Sequence, residues 1–198
     1  GVARRPAGRV TGDLSMTSIW LVRHGEAAAK WAEHPDPGLS ELGQQQAMAA
    51  ADQLERLMPP QVALVSSPKA RAMETAAPLQ QRLGAPLDIN EAFIEIQAPV
   101  PLEDRQNWLR AFMNQGWSDQ EDVLWQWREG IVNGLLALQQ PTIVFTHFLV
   151  INAVIAHIRG DDRTLQVWPD NGSVHELVLV QGALKVVTIG QEMATVVT

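Results

Sequence analysis

The chain predicts an α/β fold, a three-layer α/β/α sandwich on a mostly parallel sheet. Three observations carry this reading. Short apolar runs alternate with helical patterns through the first half, as strand–helix–strand units do. Two of these runs end in histidine-bearing segments, Arg23-His24-Gly25 and Thr146-His147. The chain closes with two apolar runs around Gln181-Gly182, the pattern of a hairpin that adds an antiparallel edge.

Taken in order, Ser18 to Val22 is a short apolar run that reads as a buried strand leading into the Arg23-His24-Gly25 loop. Pro35, Pro37 and Gly38 mark a loop, and Ser40 is a good N-cap for a helix to about Met58, stopped by Pro59-Pro60. Its expected inner face is Ala47, Ala50, Ala51, Leu54 and Leu57. Val62 to Val65 reads as the second strand, and Ser67-Pro68 as the N-cap and first position of a helix ending near Gly84. Pro78 should kink or shorten that helix. Pro86 to Ile89 is a weak strand, and Phe93 to Pro101 an irregular loop. A Trp-rich helical cap region follows over Leu102 to Leu138, with Trp108, Trp117, Trp125 and Trp127 crowded together. These indoles pack over the sheet or form a lid on an apolar pocket. Thr142 to Phe145 is a strand, Leu149 to Ile158 an apolar helix, and Val174 to Val180 and Leu184 to Ile189 the terminal hairpin.

The 198 residues fit one domain, residues 16–198, after an expected leader, tag remnant or floppy extension over residues 1–15. That extension carries Arg4, Arg5 and Arg9 and has no apolar signal core. With 46% hydrophobic and 19% charged residues, a packed core is expected. The net charge of −7 argues against sequence-independent nucleic-acid binding, though a few convergent arginines can still focus a positive field on an anionic substrate. The absence of cysteine excludes disulfides, thiolate catalysis and cysteine zinc sites. No apolar run approaches the ~20 residues of a membrane span, so a cytoplasmic protein without membrane or nucleic-acid partners is expected.

Ligands of parallel sheets gather at the carboxyl ends of strands, so His24 and His147 should face one crevice. Arg71 lies in the first turns of a helix that also starts at a strand end. Two arginines and two histidines beside a helix N-terminus make a dianion pocket, for which phosphate is the natural occupant.

Five blocks carry a family resemblance: LVRHGEA (21–27), DPGLSELGQQQA (36–47), SSPKARAMETA (66–76), VFTH (144–147) and PDNGSVHEL (169–177). In these blocks and their order the chain resembles the histidine phosphatase superfamily, which includes the cofactor-dependent phosphoglycerate mutases. The resemblance implies a phosphoglycerate mutase-like fold and a metal-independent phosphatase that needs no cofactor. His24 would be the nucleophile that forms a phosphohistidine. Arg23 and Arg71 would grip phosphoryl oxygens, and His147 would stabilise their charge. Gly25 would allow close backbone approach. The substrate would be a phosphorylated small molecule or a protein phosphohistidine. A mutase-like phosphoryl transferase and a non-catalytic phosphate-binding module are the alternatives.

The family's proton donor is a glutamate in a Glu…Gly…Trp-Glu-Gly context, of which Phe93 to Pro99 keeps only the glutamate. Glu95 is therefore the candidate general acid, with Glu91 and Glu103 in reserve. Ala27 and Lys30 replace the Ser and Asn of the mutase pattern, and Phe148 replaces the usual Gly after the second histidine. These changes weigh against a phosphoglycerate mutase. Lys30 either contacts an acidic substrate or is solvated. Glu26 reads as a pocket residue or a loop cap, and Asn171 and Ser173 as residues of the site rim. His34, His157 and His175 lack partners at metal-ligand spacing and read as surface or packing residues.

Overall fold

A computed structural model describes residues 16–29 and 34–194. Lys30 and the extension over residues 1–15 lie outside the described residues. The elements run β1 (Met16–Arg23), α1 (Glu41–Leu57), β2 (Ala63–Ser66), α2 (Ala70–Leu83), β3 (Leu87–Ile89), α3 (Arg105–Phe112), α4 (Asp122–Leu136), β4 (Thr142–Thr146), α5 (Phe148–Arg159), β5 (Val174–Val180) and β6 (Ala183–Thr188). The strands form one sheet in the order β3-β2-β4-β1-β5-β6. The first four run parallel, and β5 and β6 add an antiparallel edge.

Alternation along the strands sorts the core into two layers, as the period of two requires. Ile19 and Leu21 of β1 and Val144 of β4 join the apolar faces of α4 and α5 on one side. Trp20, Val22, Ile143 and Phe145 face α1 and α2 on the other. Their helices contribute small residues there, Ala50, Ala51 and Ala76, with Leu54 and Leu79 between them. Leu57, expected on this inner face, is instead half-exposed in the last turn of α1. Ser40 caps α1 by accepting from Gly43 N. The closing hairpin turns through Gln181 and Gly182, both at positive φ (51° and 81°), which a two-residue type I′ turn demands.

Two expectations about α2 are corrected. The helix begins at Ala70 rather than at Ser67-Pro68. Its first amide is served from a distance, by Asp36 Oδ1 accepting from Ala70 N at 2.9 Å, and the Ser67 hydroxyl is engaged elsewhere. Pro78 also fails to shorten the helix, which continues to Leu83. The carbonyl deprived of its donor belongs to exposed Glu74, where water can serve it.

The Trp-rich segment divides into α3, α4 and two short 3₁₀ turns, Leu102–Asp104 and Trp117–Asp119. Trp117 is fully buried at its centre, with Phe112 and Trp125 edge-on to it and Trp127 stacked. The Arg128 guanidinium lies 4.9 Å from the Trp117 ring and 4.7 Å from Trp125, within cation–π range. These indoles belong to the core beneath the cap. Among the described residues no helix is long and apolar enough to cross a membrane.

Trp117 is expected to be the keystone of the cap. Trp117→Ala should lower unfolding free energy by about 3–5 kcal/mol, read as an earlier denaturant midpoint. A loss near that of a surface substitution would show that the cap does not depend on it.

Candidate active site

The parallel register of β1 with β4 sets Arg23 beside Thr146, and that of β2 with β4 sets Ser66 beside Phe145. The next residues of the three strands, His24, His147 and Ser67, therefore leave the sheet side by side. Backbone bonds continue past the strands, His24 N to Thr146 O and Ser67 N to Phe145 O, both 3.0 Å. The two imidazole centroids lie 5.2 Å apart.

His24 is buried, and its Nδ1 lies 2.7 Å from Gly25 O. A carbonyl only accepts, so Nδ1 carries the proton and Nε2 keeps its lone pair. Arg71 Nε donates to that Nε2 at 3.3 Å. Burial, reinforced by the charge of Arg23, pushes the His24 pKa down to about 3. The ring is thus neutral and in one tautomer, with Nε2 turned toward Arg71.

His147 is fully buried, and its Nε2 lies 2.7 Å from Ser67 Oγ. That hydroxyl accepts from Lys69 N and has its own proton to donate to Nε2. In this arrangement Nδ1–H is the free donor of His147. Burial and the charges of neighbouring groups hold its pKa well below the usual histidine value.

Arg71 comes from the first turn of α2 and is 4% exposed. Arg23 is clamped from its far side: Nη1 donates to Pro169 O at 2.9 Å and to Met193 Sδ at 3.6 Å, and its guanidinium lies 5.2 Å from the Phe148 ring. Buried Asn152 steadies the segment before Pro169 by accepting from Gln166 N and Val167 N. Arg23 Nε, Arg71 Nη1 and His147 Nδ1 are all buried and have no hydrogen-bond partner among the described residues. Orphaned buried donors are costly, and these three belong to neighbours of His24: Arg71 donates to its ring, Arg23 precedes it, and the His147 ring lies 5.2 Å from its own.

Glu95 closes another side. Its Oε1 accepts from Ile96 N and its Oε2 from Leu149 N, both at 3.1 Å. The loop that carries it is tied down by Thr146 Oγ1 to Phe93 O and Trp127 Nε1 to Ile94 O. Burial pushes the Glu95 pKa up, opposed by those two amides and by Arg71 and Arg23. Glu95 lines a cavity of about 40 Å³ with Lys69, Arg71, Ile96, Gln97 and Arg105. Glu91 and Glu103 are exposed and line no part of it.

Gly25, Asn171 and Ser173 hold the loop that carries His24. Gly25 N donates to Thr75 Oγ1 (2.9 Å), which donates to Arg71 O (2.7 Å) and so couples the loop to α2. A β-carbon at Gly25 would lie 2.5 Å from Gly43 O, so the close approach here is to α1. Glu26 is exposed and accepts from Ser40 Oγ at 2.8 Å, tying the loop to the α1 cap. Asn171 Nδ2 donates to His24 O at 3.2 Å. Ser173 reaches the site through its carbonyl, which accepts from Arg23 N, while its hydroxyl pairs with buried His175. His34 and His157 are exposed. Sequence reasoning missed Ser67, Thr75, Asp36, Lys69 and Arg105 as parts of this neighbourhood. Ser67 reads locally as a cap, and nothing in local sequence links Arg105 to Arg71.

The His24 electrostatics carry a pH consequence. Its pKa of about 3 in the fold lies below the ordinary 6.5, so on acidification the unfolded chain takes the proton first. Stability from this group is complete above about pH 6.5 and is lost as pH falls toward 3. Nitrogen-15 histidine NMR should show His24 as the neutral Nδ1–H tautomer down to about pH 4. A midpoint near 6.5 would contradict the buried, arginine-flanked ring.

The model of the histidine phosphatase superfamily (branch 1) matches residues 19–192. A glucosyl-3-phosphoglycerate phosphatase from Mycolicibacterium vanbaalenii is 38% identical over 81 residues, 39% of this chain and 35% of the relative. The chain thus matches about a third of that curated relative's length. Among solved structures, a mycobacterial glucosyl-3-phosphoglycerate phosphatase superposes with a TM-score of 0.68 at 21% identity, over 88% of this chain and 98% of the other. A phosphoserine phosphatase from Entamoeba histolytica, solved with 3-phosphoglyceric acid, gives 0.68 at 19% identity, over 88% and 97%. A phosphoglycerate mutase from Bacillus anthracis gives 0.65 at 18%, over 90% and 95%. These structures share the fold, and the family match over nearly all the described residues shows that the chain belongs to the histidine phosphatase superfamily, branch 1.

Proposed function

We propose that the protein is a metal-independent phosphatase that hydrolyses a phosphate monoester of a small molecule through a phosphohistidine on His24. The observation that supports this reading best is that three side chains with buried, unpartnered donors, Arg23, Arg71 and His147, neighbour an imidazole whose Nε2 carries no proton. Three donors around one nucleophile match the three equatorial oxygens of a phosphoryl group in flight.

In the first step His24 Nε2 attacks phosphorus, and the bond from phosphorus to the ester oxygen breaks. Arg71 Nη1, Arg23 Nε and His147 Nδ1 take the oxygens as charge shifts onto them. Glu95, whose pKa burial raises, gives its proton to the departing alkoxide. In the second step water attacks the same phosphorus, Glu95 takes the water's proton, and the phosphorus–nitrogen bond breaks to release phosphate. Asn171, with its bond to the His24 carbonyl, and the Gly25–Thr75–Arg71 chain keep the nucleophile and Arg71 in step. Relatives named for phosphoglycerate and phosphoserine chemistry support a small phosphorylated metabolite as substrate.

His24→Ala should abolish phosphate release and leave the fold intact. Rapid quench of the unaltered protein with labelled substrate should trap an acid-labile, base-stable adduct. An acid-stable adduct would point to a hydroxyl nucleophile instead, and activity lost on chelation and restored by a divalent ion would exclude a metal-independent mechanism.

The assignment of Glu95 has its own test. Glu95→Gln should slow hydrolysis of an alkyl phosphate by about a hundred- to ten-thousand-fold. It should slow p-nitrophenyl phosphate far less, because that leaving group departs without a proton. Equal losses on both substrates would assign Glu95 a positioning role.

A further inference from the structure

His175 lies in β5, fully buried, and the chemistry proposed above gives it no part. Both of its ring nitrogens are engaged. Gly190 N donates to Nδ1 at 2.9 Å, so Nδ1 carries no proton. Nε2 then holds the proton and donates to Ser173 Oγ at 2.7 Å. Burial pushes the His175 pKa down to about 4, against the pull of Glu192. The ring is therefore neutral near neutral pH, and Nδ1 stays an acceptor.

These two bonds fall where the chain changes partners. The ladder of β5 with β6 ends at Glu176 and Thr188. Past it the chain pairs instead with the segment that precedes β5. Pro169 bridges Glu192, Asp170 N donates to Gln191 O at 3.0 Å, and Met193 N donates to Trp168 O at 2.7 Å. Trp168 N completes the pairing by donating to Glu192 Oε1 at 2.9 Å. Gly190 is the pivot between the two arrangements. A β-carbon there would collide with the Val174 carbonyl, so a residue without one is needed for the chain to pass this close to β5. The His175 imidazole takes the pivot's amide.

Arg23 is held by both halves of this pairing. Its Nη1 donates to Pro169 O at 2.9 Å and to Met193 Sδ at 3.6 Å. Its main-chain N donates to the carbonyl of Ser173, whose hydroxyl receives the other His175 bond. One imidazole thus reaches both the main chain at Arg23 and the two acceptors that orient its guanidinium. An arginine side chain loses much rotamer freedom when it is ordered. Acceptors fixed in advance leave less of that cost to be met when an anion binds.

We infer that His175 is a positioning residue for Arg23: by tying Gly190 and Ser173 to β5, it holds Pro169 O and Met193 Sδ where they aim the guanidinium at the phosphoryl group. The inference rests on the phosphatase reading above for the role of Arg23 as an anion grip.

The test is a double-mutant cycle on Arg23, read by kcat/KM for p-nitrophenyl phosphate and by calorimetric titration with inorganic phosphate. His175→Leu should lower both by about two- to tenfold, the worth of one hydrogen bond. Met193→Leu, at a partly exposed position, removes one guanidinium acceptor directly and should give a loss in the same range. Arg23→Lys lacks the Nη1 that the pairing holds. In that background either substitution should change the two readouts by less than about twofold. Ser173→Ala strips one bond from the ring and carries the same cycle should His175→Leu not fold. A packing role alone would give equal losses in the two backgrounds and would overturn the inference, as would the absence of any loss. Arg23-dependent loss of phosphate affinity in a protein without turnover would support the positioning role and overturn the phosphatase reading. Turnover with losses indifferent to Arg23 would overturn the positioning role alone. An unaltered protein that neither binds phosphate nor turns over would overturn both.

Discussion

Parallel pairing of β1 with β4 is the constraint on which the rest of the site depends. Because Arg23 sits beside Thr146 in the ladder, the next residue of each strand is a histidine at the same height above the sheet. A slip of one residue would send one of them to the opposite face. The pairing is held where slippage is most costly, in the middle of the sheet, with Ile19, Leu21 and Val144 on one side and Trp20, Val22 and Ile143 on the other. The apolar packing of both layers thereby sets the separation of the two polar rings.

Burial then does the electrostatic work. Both imidazoles are kept neutral because charging them would cost desolvation and face two arginines. The arginines keep their charge because guanidinium does not give up its proton in proteins. Neutral imidazole and charged guanidinium are thus separated by chemistry rather than by distance, since Arg71 Nε lies only 3.3 Å from His24 Nε2. The same burial that disfavours charge on the histidines favours the protonated form of Glu95, opposed by its two amides and the nearby arginines. One desolvated recess therefore holds a neutral base, two fixed cations and a carboxyl group pushed toward its acid form.

Much of this was legible in the chain itself. Strand ends could be read at Arg23 and Thr146 because short apolar runs stop abruptly there, and the Ser40 cap and the Gln181-Gly182 turn follow from local chemistry alone. The start of α2 is not legible in the same way, because Ser67-Pro68 looks like a local cap, whereas the Ser67 hydroxyl pairs with His147 and the helix amide takes its acceptor from Asp36. Both partners are distant in sequence, so no local pattern could report them. Trp117 and its neighbours were visible as a crowd, but whether they covered a pocket or filled a core depended on where α4 docked.

By itself, the sequence determined the order of elements, the family to which the blocks belong and the residue types able to hold a phosphoryl group. These are properties of local periodicity and of side-chain chemistry, and both are written along the chain. Tertiary structure decided the tautomer of His24, the clamp of Pro169, Met193 and Phe148 on Arg23, and the meeting of Lys69 and Arg105 beside Arg71. Each of these needs groups from separate elements within a few ångströms, and only the packing of cap and helices on the sheet brings them there.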